Sequence, residues 1–297
     1  MKSIVIFMVV LLSILVMNSK SYGHDKSAVL EGPYLGQKPP GSVPEPFAPS
    51  WLSTEHRAGS GFFTPDMKQY YFTRRSHKDG KWSLVVFKSE NNRWRESLVG
   101  PRVGRPIITP DGMTMLLGKH YMERTENGWS AVKSLGPLFE DFRIMRLMSS
   151  SNGTYYFDEA TESGPIRYSR LIDGKHEKPK AVKIDFGDWN AHPFIAPDES
   201  YLIWDDQRES GNGKADLYIS YRQKDGTWGA SINLGDTINS SASEAGAYVT
   251  PDGKYLFFSR YISEKNAGAY WVDAQIIETL RPKSQPKNKL YPASIKD

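Results

Sequence analysis

Five polar side chains could form one ligand site, because each stands at a fixed distance before a recurring turn. Arg105, Arg146 and His192 lie five residues before the proline position of that turn, and Asn190 and Glu244 lie seven residues before it. Arginine side chains bind carboxylates or phosphates through paired hydrogen bonds. The set therefore predicts a site for an anionic ligand or an acidic peptide tail. The alternative is that these groups pair with one another or with loop carbonyls.

The turn that would position these side chains occurs five times. Its proline is found at Pro65, Pro110, Pro197 and Pro251, and Ser151 takes the place of proline in a degenerate copy. Successive positions are 45, 41, 46 and 54 residues apart, and short apolar runs flank each one. Proline fixes φ and the following Asp binds its own backbone, so each copy predicts a tight turn between two antiparallel strands.

Each unit continues with a third apolar run and a fourth segment that opens on Trp, as at Trp129 and Trp228. Four short strands in about 45 residues are typical of a propeller blade. The chain is therefore predicted to be an all-β propeller of four-stranded antiparallel blades, with five blades favoured and six possible. Residues 46–52 are expected to supply the outer strand that the last copy lacks, which would close the ring without a free edge.

The repeated pattern, apolar-apolar-(Ser/Thr/Ala)-Pro-Asp-Gly followed by a Leu-x-Phe run, resembles the WD-like propeller repeat of the TolB family. Residues 190–260 match it best, and the resemblance covers about residues 47–275. It implies a propeller fold and contacts between proteins of the cell envelope. No second TolB domain is visible, and the turn itself carries no catalytic role in that family.

Residues 1–23 are predicted to be a signal peptide. Lys2 precedes an apolar run from Ile4 to Met17, and Ser21 and Gly23 are the small residues expected before a cut at His24. The run is shorter than the roughly 20 residues that span a bilayer, so no membrane span is expected after cleavage. The mature protein would be periplasmic in a Gram-negative cell and otherwise secreted. An extended Pro-rich leader (24–45), the propeller (46–280) and a disordered basic tail (281–297) complete the predicted organisation.

Composition excludes several kinds of site. The chain has no cysteine, which removes zinc–thiolate sites, catalytic thiols, disulfides and a lipoprotein anchor. The formal net charge is +4, and removal of Lys2 and Lys20 with the leader would leave +2, so no nucleic-acid partner is expected. No cofactor and no metal are predicted. An acidic cluster at 205–216 could attract calcium, but its spacing favours a loop held by its own hydrogen bonds.

The sequence favours an exported, monomeric binding or scaffold protein whose ligand is an envelope protein, a peptide or a glycan. The alternative is a glycan-active hydrolase or lyase, which would need a second carboxylate facing Glu244 across the channel. No Gly-x-Ser-x-Gly elbow and no Gly-rich phosphate loop occur. No catalytic residue is predicted, and the prediction leans against an enzyme.

Overall fold

The computed structural model describes residues 30–47, 57–58, 61–76, 78–161, 164–263 and 266–283, with only the backbone of 57–58. These residues form five antiparallel blades, which confirms the predicted all-β, five-bladed propeller. The predicted signal peptide lies outside the described residues.

The first strand of each blade is the inner one, and the next two strands follow it outward in chain order. The five inner strands are Phe62–Phe63 with Arg57–Ala58, Pro106–Ile108, Ile144–Ser149, Trp189–Ile195 and Ser243–Val249. The five second strands are Gln69–Arg75, Thr114–Leu117, Tyr155–Glu159, Tyr201–Gln207 and Tyr255–Ser263. The five third strands are Trp82–Glu90, His120–Thr125, Ile166–Ser169, Asp216–Tyr221 and Asn266–Asp273.

The outer strands differ more from blade to blade. Blades 1 to 4 end on Arg93–Pro101, on Gly128–Trp129 with Lys133–Ser134, on Lys180–Ala181 and on Ile232–Asn233. Leu30–Glu31 adds a further strand to blade 1, and a hairpin of Leu171–Ile172 and Lys175–His176 follows the third strand of blade 3. The helices are Pro137–Glu140, Gln275–Leu280 and the 3₁₀ turn Tyr34–Gly36.

The Pro-Asp turns owe their shape to local hydrogen bonds. The Thr64 hydroxyl donates to the Asp66 carboxylate at 2.5 Å and accepts the Gln69 N–H at 3.0 Å. The turns that begin at Thr109 and Thr250 repeat both contacts. A threonine–aspartate pair thus closes the connection between the first and second strands of three blades, so the turn forms wherever its short sequence occurs.

An N-terminal strand completes the last blade, as predicted. Glu45–Pro46 pairs antiparallel with the third strand of blade 5, and the Phe47 N–H donates to the Ala269 carbonyl at 2.8 Å. Residues 48–52, the rest of the predicted closing segment, lie outside the described residues. Because Glu45–Pro46, near the start of the described chain, completes the last blade, blade 5 has the four strands that a closed ring requires.

Aromatic rings fill the joint between blades 5 and 1. Phe47 is buried, and its ring lies 4.7 Å from Phe257 and 5.0 Å from Trp271 in blade 5, centroid to centroid. The same ring lies 5.5 Å from Tyr70 in blade 1. The Tyr248 hydroxyl also crosses the joint and donates to the Phe63 carbonyl at 3.0 Å. Phe47 is therefore one of the side chains that contact both ends of the ring.

Replacing Phe47 with Ala should open this joint. We expect the free energy of unfolding to fall by about 3–5 kcal/mol, the usual cost of removing a buried Phe ring. Denaturant unfolding of the mature chain measures this change. Val43→Ala is the matched control, because Val43 lies four residues earlier with 64 % of its surface exposed, and a shift within about 0.5 kcal/mol is expected there. Equal losses in the two variants would contradict this role of Phe47.

Candidate anion-binding site

The predicted site positions coincide with an irregularity in the inner strands. Strand pairing shifts between Ile144 and Leu147 in blade 3, and equivalent shifts occur in blades 4 and 5. Arg146, His192 and Gly246 occupy the same place in these three bulges, and Arg105 directly precedes the inner strand of blade 2. A bulge redirects both a side chain and a backbone N–H. The N–H groups at these positions are therefore available to partners other than the neighbouring strand.

Two buried carboxylates bind the backbone of the bulges. Asp158 accepts the Met145 and Arg146 N–H groups of its own blade at 3.1 and 2.7 Å, and the His192 N–H of the next blade at 2.9 Å. Asp205 accepts His192 Nδ1–H at 2.9 Å and, from the next blade, the Gly246 N–H at 2.9 Å. Blades 3, 4 and 5 are therefore linked to one another through aspartate side chains.

The other side of the ring lacks these carboxylates. Thr73 and Ser259 take the place of Asp158 and Asp205 in blades 1 and 5. A cavity of about 280 Å³ lies here, between blades 5, 1 and 2. The residues that line it are Gly61, Phe62, Thr73, Trp82, Arg102, Arg105, Pro106, Ile107, Arg146, Ala245, Gly246, Tyr248, Phe257, Ser259, Tyr261, Ala267, Gly268 and Ala269. Of the residues that the structure describes, three arginines and no acidic residue face this cavity.

Arg146 is the most deeply buried of the three arginines, with 8 % of its surface exposed. Among the described residues, its guanidinium makes one hydrogen bond, from Nη1 to the His192 carbonyl at 3.4 Å. Burial and the positive charge of Arg105 lower the pKa of Arg146 to about 10, against the attraction of Asp205 and Asp158. The side chain is still a cation at neutral pH, and within the described part of the chain most of its donors have no acceptor.

Arg102 and Arg105 complete the cluster. Arg102 donates from Nε to the Gly104 carbonyl at 2.7 Å, and its guanidinium lies 5.0 Å from the centre of the Trp82 ring. Burial, followed by the charge of Arg105, lowers the pKa of Arg102. Arg105 forms no hydrogen bond or ion pair with any residue that the structure describes. Arg105 is therefore close enough to repel both Arg102 and Arg146.

The structure brings two of the five predicted site residues, Arg105 and Arg146, to the cavity and places the other three elsewhere. Glu244 is fully buried, with Oε1 2.7 Å from both Arg260 Nε and the Ser240 hydroxyl. Asn190 and His192 do not line the cavity. Asn190 Oδ1 and His192 Nε2 are nevertheless buried without a hydrogen-bond partner among the described residues.

Two features of the cavity and its surroundings were absent from the sequence prediction: Arg102 and the Asp158 link. Asp158 and Asp205 occupy one repeat position, four residues beyond Thr154 and Tyr201, where the second strand begins its pairing. An alignment of the copies by their turns misses this equivalence, because the turn of blade 3 is one residue shorter than that of blade 4. In the acidic cluster at 205–216, Asp216 accepts the Asn212 and Gly213 N–H groups at 2.6 and 3.0 Å, so it holds its own loop.

Comparison with known proteins finds solved structures that are similar to this chain at low sequence identity. No protein-family model and no curated protein matches the chain. TolB from Acinetobacter baumannii is 15 % identical over 73 % of this chain and 54 % of that chain, with a TM-score of 0.46. An α-L-arabinofuranosidase from Podospora anserina is 10 % identical over 78 % of this chain and 94 % of that chain, with a TM-score of 0.45. A puromycin hydrolase is 14 % identical over 78 % of this chain and 42 % of that chain, with a TM-score of 0.45.

The chain thus spans about half the length of that TolB protein. TolB is among the structures that the chain is similar to, as the repeat predicts, while membership of the TolB family stays a prediction. Neither α-helix of the described residues has the length and apolar character needed to cross a bilayer.

The Asp158 link can be tested by stability. Asp158→Ala should lower the free energy of unfolding by about 3 kcal/mol, because three buried N–H groups would lose their acceptor. The control is Asp185→Ala, whose side chain is 88 % exposed and whose loss should cost no more than about 0.5 kcal/mol. Chemical denaturation compares the two variants. A loss for Asp158→Ala no larger than that of the control would show that the link is dispensable.

Proposed function

We propose that this protein is a binding protein whose cavity receives the anionic group of a ligand. The observation that carries the proposal is the Arg146 guanidinium, which is buried and donates one long hydrogen bond to the protein. An unpaired buried charge is costly, and ligand sites are where such a cost is offset on binding. Arg105 and Arg102 supply further donors, and guanidinium groups match the geometry of carboxylate and phosphate oxygens.

The acid–base machinery of a glycan hydrolase has less support. Such an enzyme needs two carboxylates about 5–9.5 Å apart beside the scissile bond. The described carboxylates nearest to Arg146, Asp158 and Asp205, give their oxygens to backbone N–H groups and to His192. Glu244 is neutralised by Arg260. The described residues therefore favour binding over hydrolysis.

The signal-peptide pattern of residues 1–23 supports a place outside the cytoplasm, in the periplasm of a Gram-negative cell or in the medium. The ligand would be an acidic group on a peptide, a glycan or an envelope protein, bound by a monomer of the mature chain. N-terminal sequencing of the protein recovered from the cell envelope should begin at His24; recovery with residues 1–23 attached would contradict export by cleavage.

The binding proposal is tested with wild type and the double variant Arg105→Ala/Arg146→Met in a thermal-shift panel of citrate, succinate, glucuronate and phosphate. An anion whose concentration is a hundred times its Kd stabilises the folded state by about 2.7 kcal/mol. For a domain of this size that raises Tm by roughly 5–10 °C. We expect such a rise in wild type for at least one anion and none in the double variant. Equal shifts in both proteins, or no shift in either, would overturn the proposal.

A stability comparison separates a binding arginine from a structural one. Arg146→Met should change the free energy of unfolding by no more than about 1 kcal/mol, because the lost charge had little pairing. Arg260→Met is the matched control: Arg260 binds the fully buried Glu244 at 2.7 Å. Its removal leaves that carboxylate unpaired and should cost about 3–5 kcal/mol. Denaturant titration measures both, and a larger loss for Arg146→Met would make Arg146 structural.

A further inference from the structure

The described residues of the cavity wall offer positive charge and hydrogen-bond donors, and none of them offers a negative charge to a cation. Arg102, Arg105 and Arg146 face it, and no described Asp or Glu lines it. An ammonium group brought into this space would lose its hydration and stand beside three guanidinium groups. A free amino acid or an amino sugar would therefore bind at a penalty that the same molecule without nitrogen avoids.

The charge count indicates more than one negative charge on the ligand. Arg105 acts on both neighbours, because its charge lowers the pKa of Arg102 and of Arg146 after the larger effect of burial. Asp158 and Asp205 attract Arg146, but neither of them lines the cavity. A monoanion can pair with one or two of the three guanidinium groups that a ligand meets there, whereas a dianion or trianion can pair with all of them.

The remaining wall limits the ligand's size and body. The cavity holds about 280 Å³, near the lower end of the roughly 300–1,000 Å³ of small-molecule sites. Phe62, Ile107 and Phe257 form apolar parts of the wall. A small molecule with a short carbon skeleton fits this arrangement, since the skeleton can contact the apolar side while its charged ends meet the arginines.

We infer that the ligand is a compact acid that carries two or more negative charges and no ammonium group. This inference rests on the proposed function, because it assumes that the cavity is the binding site. Two sources share this chemistry: a small dicarboxylate or tricarboxylate, and a phosphate or phosphate ester. The arginines provide donors for either, and selectivity against amines and against monoanions is the property that the wall itself dictates.

Titration calorimetry with the mature wild-type chain tests this selectivity with matched probes. Glutarate carries two carboxylates, butyrate lacks the second one, and glutamate adds an ammonium group to the glutarate skeleton. We expect Kd for glutarate to be at least tenfold lower than for butyrate and for glutamate. Citrate and inorganic phosphate are titrated beside them. Tighter binding of citrate indicates that the ligand is a dicarboxylate or tricarboxylate, and tighter binding of phosphate indicates a phosphate or phosphate ester.

The outcomes distinguish the two proposals. If butyrate or glutamate binds as tightly as glutarate, the inference about charge and amine is overturned while anion binding stands. If none of the five probes binds, the proposed function fails and the inference fails with it.

A variant links the selectivity to the cluster. Arg102→Gln should reduce the ratio of the butyrate Kd to the glutarate Kd at least fivefold. The reason is that the two remaining cations, Arg105 and Arg146, repel each other less than the three cations of wild type do. Arg124→Gln is the control, since Arg124 also packs on a tryptophan, 4.2 Å from the centre of the Trp129 ring, but does not line the cavity. An unchanged ratio in Arg102→Gln, or an equal fall in Arg124→Gln, would contradict the charge argument.

Discussion

The hydrogen bonds of the Asp158 and Asp205 carboxylates hold the bulged inner strands in place and determine which charged groups are paired there. Each carboxylate accepts N–H groups from two neighbouring blades, so it stabilises the bulges and has little capacity left for a cation. Arg146 lies in one of those bulges, and Asp158 binds its backbone N–H rather than its guanidinium. The same interaction that fixes the backbone of blades 3 to 5 therefore leaves a buried guanidinium poorly paired.

The site also depends on closure of the ring, because the cavity lies where the last blade meets the first two. Phe47 contacts aromatic rings of both blades 5 and 1, and the Tyr248 hydroxyl binds the Phe63 carbonyl across the same joint. Tyr248 also lines the cavity. The joint thus closes the propeller and forms part of the cavity wall, so a loosened joint would change both stability and ligand binding.

The blades could be predicted from the sequence because their turns are local. A Thr-Pro-Asp segment closes itself with hydrogen bonds two and five residues away. Three of the five turns have this segment and the other two are variants of it, so the recurrence of the turn predicts five blades. The position before the turn likewise predicted Arg105 and Arg146. Glu244 came from the same rule, yet its partner Arg260 lies on the next strand, and a spacing rule does not show which way a side chain points.

Arg102 and Asp158 were missed for a related physical reason. Arg102 reaches the cavity from the loop between blades 1 and 2, where no repeat position marks it, and Asp158 sits in the copy that lacks proline. That copy closes its turn with one residue fewer: the Ser150 N–H meets the Thr154 carbonyl, whereas Thr64 meets Gln69. Side-chain direction at a bulge and register in a shortened turn are properties of the folded blades, not of a short stretch of sequence.

The most direct test of an anion site is a crystal structure of the mature protein grown with citrate at neutral pH. We expect citrate oxygens about 2.7–3.1 Å from the guanidinium nitrogens of Arg146 and Arg105. A structure in which Arg146 instead pairs with a carboxylate of the chain, with water alone in the cavity, would contradict this expectation.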